Sequence, residues 1–404
     1  MGDQKRILHT ALWVLPVTTP PIYNGAVLVA GNIIERVGPA EGLKKVFPAR
    51  VVDHGRAVLF PGLVNAHTHL EFSALKGKID KCDSFPQWLK RMAWRRLLLG
   101  QDTIRESARR GVEELVNSGT ALVGDVSNLI DTASLMVGRP IKGIIFHELI
   151  SLRGDRAEEV MRSRIEMVRG YAHPKDVVHT ISPHAPYSVS PELFRLIKGY
   201  CRDKGRVTSV HLAESPEEAE LCLKGGGALK ELLERAGLWE KDWKVPKVSP
   251  VRYLEGLGFL DERTMAVHLT QATPEDVAIL KGRGVSICLS VRSNEMTGVG
   301  QPPIKLFLEA GLNMCLGTDS LASNEDLSIL NEMRALKKFH PYLDEAVILR
   351  MATINGARAL GFDDRLGSLE LGKEAFILSL PIPTPEDPFQ ALFAPGQMPR
   401  RVFP

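Results

Sequence analysis

Eight short runs rich in β-branched and apolar residues punctuate the middle of this 404-residue chain, and each is followed by a stretch of helical character. They lie at Val58 to Val64, Thr120 to Gly124, Gly143 to Phe146, Val177 to Ile181, Val207 to Leu212, Met265 to Leu269, Val285 to Leu289 and Asn313 to Gly317. A strand that returns through a helix pairs with the next in parallel, and eight such units in about 300 residues match the size and order of a (β/α)8, TIM-like barrel. Helix starts support the count. Ser190-Pro191-Glu192, Ser215-Pro216-Glu217 and Thr273-Pro274-Glu275 each supply a capping hydroxyl, a proline at the first helical position and an acid in the first turn. A doubly wound open sheet would want a glycine-rich phosphate loop after its first strand. Asn65 to Leu70 supplies none.

The two ends have a different texture. Gly25 to Ala30 and Ile33 to Val37 are β-rich and joined by Gly31-Asn32, the composition of a two-residue hairpin turn. Gly367 to Glu370 and Phe376 to Leu380 resemble them. The expected class is therefore α/β: a barrel over 58–362 and a small β-sandwich domain built from both termini, 1–57 and 363–404.

With 44% hydrophobic residues the chain can bury a substantial core, and a net charge of +3 with no basic run argues against a nucleic-acid surface. Its five cysteines are odd in number and contain no Cys-x-x-Cys, as in a reducing cytoplasm. The apolar stretch Ala11 to Val17 is too short for a spanning helix or a signal sequence. A soluble cytoplasmic protein acting on a small molecule, without membrane or nucleic-acid partners, is the expectation.

Barrel enzymes place their chemistry at the C-terminal ends of the strands. His67 and His69 follow the first strand, on one side of its extension because side chains alternate with period two. His184 follows the fourth strand, His211 and Glu214 end the fifth, His268 the sixth and Asp319 the eighth. Five of the 11 histidines thus fall on one face. Each has a bland reading as a packed or capping residue; one metal accounts for all of them. Three imidazoles and a carboxylate suit Zn2+ or Fe2+ and leave room for a water, whose pKa such a cation brings near neutrality. Glu214 stands where a carboxyl group can relay a proton from that water to a substrate nitrogen. His69-Leu70-Glu71 also matches half of another zinc-deaminase signature, but no Pro-Cys-x-x-Cys follows.

Five motifs carry a family resemblance: Pro61-Gly62-Leu63-Val64-Asn65-Ala66-His67-Thr68-His69, Ser182-Pro183-His184-Ala185-Pro186-Tyr187, His211-Leu212-Ala213-Glu214, Val267-His268 and Gly317-Thr318-Asp319-Ser320. In this order the chain resembles the amidohydrolase superfamily, specifically its mononuclear deaminase and chlorohydrolase branch. The resemblance implies His67, His69, His211 and Asp319 as ligands of one divalent ion, Zn2+ first and Fe2+ as the alternative. No lysine stands on the fourth strand to bridge a second ion. It further implies Glu214, His268 and Asp319 as catalytic groups and His184 as a substrate contact.

Leu70-Glu71-Phe72-Ser73, Arg292-Ser293-Asn294 and the stretch from Thr318 to Asn324 are similar to aminodeoxyfutalosine deaminases of menaquinone biosynthesis. That resemblance implies substrate contacts from Glu71, Ser73, Arg292, Asn294 and Ser320, with Arg292 facing a benzoate carboxylate or simply the surface. Deaminases of S-adenosylhomocysteine, methylthioadenosine or adenosine are the near alternative, although Gln87 stands where they carry an acid. Guanine or triazine hydrolysis, including chlorohydrolysis, is the further one. A non-catalytic scaffold is disfavoured by the complete ligand set. Relatives imply a homo-oligomer, most simply a dimer. Trp239 and Trp243 are expected either to cover a nucleoside or to pack their loop.

Overall fold

The computed structural model describes residues 6–382 and 387–403. The chain forms two compact units. One comprises the residues up to Asn65, Leu115–Leu122 and those from Ser328 onward; the other comprises Ala66–Glu114 and Val123–Leu327.

In chain order the described strands are β1 (Arg6–Val14), β2 (Ile22–Ala30), β3 (Ile33–Pro39), β4 (Arg50–Asp53), β5 (Ala57–Pro61), β6 (Leu63–Thr68), β7 (Thr120–Ser127) and β8 (Lys142–Leu149). There follow β9 (Val177–Pro183), β10 (Thr208–Leu212), β11 (Thr264–His268), β12 (Ser286–Leu289), β13 (Met314–Leu316), β14 (Ile377–Pro381) and β15 (Arg400–Phe403).

Both ends of the chain meet in one sheet of order β15-β14-β5-β1-β2-β3, with β4 also on β1. Where two facing sheets were expected, the described strands hydrogen-bond into a single one. The reason lies in β1: it pairs with β2 along one edge, and its other edge is long enough for β4 at Ile7–Thr10 and then β5 at Trp13–Val14. Alternation along β2 builds both faces. Val27 and Val29 join Val14, Leu59 and Ile377 in one cluster, whereas Ala26 and Leu28 join Leu8, Leu43 and Phe47 in another. The Gly31-Asn32 hairpin forms as expected, Ala30 opposite Ile33 and Gly31 at φ 59°. Gly367 to Glu370 forms no strand; Leu369 instead donates its N–H to Pro16 O and packs among the sheet residues.

The middle of the chain is α/β with parallel pairing. Its strands form two four-stranded sheets, β6-β7-β8-β9 and β10-β11-β12-β13, and each of the last seven expected runs overlaps one strand from β7 to β13. The first run does not stay whole. Val58 to Val64 breaks at Gly62, so that β5 joins the terminal sheet and β6 opens the parallel set. A Cβ at Gly62 would lie 2.4 Å from Ala121 Cβ, so only glycine lets the two backbones approach there. Ser190, Ser215 and Thr273 cap their helices as expected, accepting from Leu193 N, Glu218 N and Asp276 N. All five cysteines are buried free thiols, and among the described residues no helix is long and apolar enough to cross a membrane.

The Gly62 contact is testable. Gly62→Ala should destabilise the protein by about 1–3 kcal/mol through overpacking, read as a lower urea midpoint at unchanged slope. Adding Ala121→Gly should recover most of the loss; equal losses in the single and double variants would contradict the contact.

Candidate active site

Strand alternation and strand length bring the expected histidines together. His67 lies inside β6 rather than beyond it, and His69 stands just past its end, with ring centroids 4.9 Å apart. His211 on β10 reaches the same point: its Nε2 is 3.3 Å from His69 Nε2, and one nitrogen from each of the three rings falls within a 4.8 Å cluster. Asp319, just after β13, places Oδ1 3.6 Å from both His67 Nε2 and His69 Nε2. Its other oxygen is occupied. Ser293 Oγ donates to Oδ2 at 2.5 Å and Ser323 Oγ at 3.0 Å, which fixes the carboxylate plane.

The backbone at these strand ends is strained. Of the seven non-glycine residues at positive φ among the described residues, four are here: Ala213 (48°), His268 (74°), Leu269 (53°) and Asp319 (57°). Such conformations persist where the surroundings over-determine them, and they cluster at functional sites. For Asp319 the restraints are its own N–H to His67 O (3.0 Å) and Thr68 Oγ1 to its carbonyl (3.0 Å).

Burial sets the protonation states. It lowers His69 to about 3, helped by His67, and takes His184 to about 4. It also holds His211 well below the usual imidazole range, the neighbouring histidines adding to the effect. Burial pushes the Asp319 carboxyl up, but the imidazoles of His67, His69 and His268 outweigh it and hold the group well below the usual carboxylate range. Neutral imidazoles and an ionised carboxylate are the forms a cation binds. Both ring nitrogens of His67 are buried without a hydrogen-bond partner, a state that costs free energy unless something supplies the missing contact. The donor set fits a divalent ion.

Glu214 is buried with Oε1 3.5 Å from His268 Nε2. Burial first, then the charges of Asp319 and Glu148, pushes its carboxyl well above the usual range. His268 Nδ1 donates to Asn294 Oδ1 at 2.8 Å, which leaves Nε2 as the lone-pair nitrogen facing Glu214. Two groups escaped sequence reasoning here. Glu218 accepts from Ala213 N (3.1 Å) and Glu214 N (2.7 Å), shaping the turn that carries the acid; the Ser215-x-x-Glu218 spacing of a capping box was its signal. Glu148, at the end of β8, lies 3.5 Å from His211 Nδ1 and accepts from Asn128 Nδ2 at 3.0 Å. Its position at a strand end was the clue.

The expected substrate contacts divide. His184, Glu71 and Ser320 line one cleft with Glu214, His268 and Asp319. Glu71 Oε2 accepts from Asn128 N and Leu129 N, both at 2.8 Å, and burial pushes its carboxyl up to about 7. Asn294 stands behind His268 instead. Ser73 lines a separate cavity with Lys76, Arg110 and Glu114. Arg292 is paired with Asp326 at 2.9 Å and does not line the cleft. Successive helical residues diverge by about 100°, and in Val291–Thr297 the buried Ser293 and Asn294 take the inward positions. Trp239 and Trp243 pack on each other and into a cluster with Trp88 and Tyr187.

A model of the amidohydrolase family matches residues 58–397. The chain is 32% identical over 348 residues to an aminodeoxyfutalosine deaminase of Deinococcus radiodurans, covering 83% of this chain and 81% of that protein. It is 30% identical over 385 residues to a 5-methylthioadenosine/S-adenosylhomocysteine deaminase of Moorella thermoacetica, covering 92% and 85%. Among solved structures, a zinc-bound adenosine deaminase from Xanthomonas campestris superposes with a TM-score of 0.79 at 27% identity, covering 96% of this chain and 88% of that one. With the matched region spanning most of its length, the chain belongs to the amidohydrolase family.

Proposed function

We propose that this protein is a metal-dependent hydrolytic deaminase of adenine-containing nucleosides, with aminodeoxyfutalosine as its best substrate. The observation that carries the reading is Glu214, a buried carboxyl 3.5 Å from His268 and beside the His67, His69, His211 and Asp319 cluster, where burial favours its acid form. The names of the relatives supply the substrate class, and the backbone bonds His211 N to His184 O and Asp319 N to His67 O favour closure of the eight strands β6 to β13 into a barrel.

His67, His69, His211 and Asp319 would hold one divalent ion, Zn2+ or Fe2+, which when bound supplies the Lewis acidity that makes water nucleophilic near neutral pH. The chain's own groups do the rest. Glu214 donates its proton to the ring nitrogen beside the amino-bearing carbon, and so draws electrons away from that carbon. His268 offers Nε2 to orient the incoming water, and Asp319 Oδ1 takes up the proton that the water releases. A C–O bond forms and the C–N bond breaks; one water proton leaves on ammonia and the other returns Glu214 to its acid form. His184, Glu71 and Ser320 border the substrate.

Deamination of methylthioadenosine or S-adenosylhomocysteine is the second reading, favoured by the Moorella relative. Ammonia release from a panel of adenine nucleosides separates the two.

Glu214→Gln should keep its metal and lose about 10²- to 10⁴-fold in kcat; near-normal turnover would contradict the role. Only the protonated acid can donate. Because the Glu214 carboxyl is raised, kcat should hold through the ordinary carboxylate range and fall as pH rises through this higher value. A pH profile of residual activity in the Gln variant should lack that limb.

A further inference from the structure

The helix Phe85–Leu97 turns one stripe of side chains toward the cleft: Phe85, Trp88, Leu89, Met92, Ala93 and Arg96. The spacing of three and four residues is that of a single helical face. Five members are apolar and the sixth is a cation. Trp88 and Arg96 are eight residues apart, about 12 Å along the helix, so the wall is a hydrophobic surface with one positive group on it.

The charge of Arg96 acts on the nearby Glu71 carboxyl, but the two form no direct bond. Arg96 Nε is buried and has no hydrogen-bond partner, and among the described residues no carboxylate lies within ion-pairing distance of its guanidinium. Other arginines of the chain are engaged: Arg109 by Glu106 and Glu113, Arg292 by Asp326. The nearby acid, Glu71, gives its Oε2 to two backbone N–H groups. A guanidinium stays charged and presents a planar fork of donors that matches a carboxylate, so an unpaired one on a cleft wall points to a ligand group.

Resting on the deaminase reading above, the reacting purine must sit at Glu214 and His268. What reaches the helical wall is then the substituent on the sugar. We propose that Arg96 binds a carboxylate carried by that substituent, across an apolar segment that packs on Trp88 and Met92, and so sets a preference for carboxylate-bearing over neutral nucleosides. A monoanion fits better than a phosphate dianion, because Arg96 is the one lysine or arginine among the described residues that line the cleft.

The test compares two 5′-arylthioadenosines that differ only in a terminal carboxylate or carboxamide, with adenosine 5′-monophosphate as the dianionic probe, on the metal-loaded enzyme. The wild type should favour the carboxylate in kcat/KM, through KM, and turn over the monophosphate poorly. Arg96→Met should cut the carboxylate-to-carboxamide ratio by about tenfold or more, and Arg96→Lys should retain part of it. Carboxamide turnover reports that each variant is folded. A wild-type ratio near one, an unchanged ratio in Arg96→Met, or efficient use of the monophosphate would overturn the assignment while leaving the deaminase reading intact. Absence of ammonia from every adenine nucleoside would overturn that reading, and this inference with it.

Discussion

The site depends on one buried arrangement of donor atoms: the Asp319 carboxylate set between the imidazoles of His67 and His69. Oδ1 lies at 3.6 Å from each ring nitrogen, while Ser293 and Ser323 hold Oδ2 from behind. Three buried imidazoles and one carboxylate form a nitrogen and oxygen donor set of the kind that suits a divalent cation. Without a cation the same groups leave His67 with two unpaired ring nitrogens. Other features of the site follow from the need to hold this geometry.

Strand ends supply that holding. β6 and β10 contribute His67 and His211 from within regular hydrogen-bonded structure, where rotamers are restrained by packing, His69 follows directly on β6, and Asp319 is tied back to His67 by its own backbone N–H. The pair proposed for proton transfer is built differently. Glu214 stands on a turn that Glu218 fastens through two backbone N–H groups, and His268 is oriented by Asn294. Positive backbone φ at Ala213, His268 and Asp319 places these side chains at angles that a continuing strand would not give. Local strain there is offset by the hydrogen bonds and packing around it.

How much of this was legible in the sequence varied with the physics involved. The alternation of strands and helices was readable because burial on both faces leaves uninterrupted apolar runs, and the gathering of His67, His69, His211 and Asp319 because few residue types can serve as ligands. The break at Gly62 was not, since the run from Val58 to Val64 looks continuous until Ala121, distant in sequence, packs against it. Substrate-side residues were the least legible. Arg292 and Arg96 are equivalent as letters, yet tertiary packing pairs one with Asp326 and leaves the other on the cleft wall. Ser73, only two residues from Glu71, faces a different cavity. Glu148 and Glu218 had local signals in a strand end and a capping box, but their partners, His211 Nδ1 and the Ala213-Glu214 backbone, appear only in three dimensions.

On the function proposed above, His67, His69, His211 and Asp319 together hold a single divalent ion. Elemental analysis of the purified protein, with Asp319→Asn and His211→Ala measured alongside, tests it most directly. The expected result is one zinc or iron per chain in the wild type and much less in both variants after dialysis against a weak chelator. Two ions per chain, or full occupancy surviving in either variant, would contradict it.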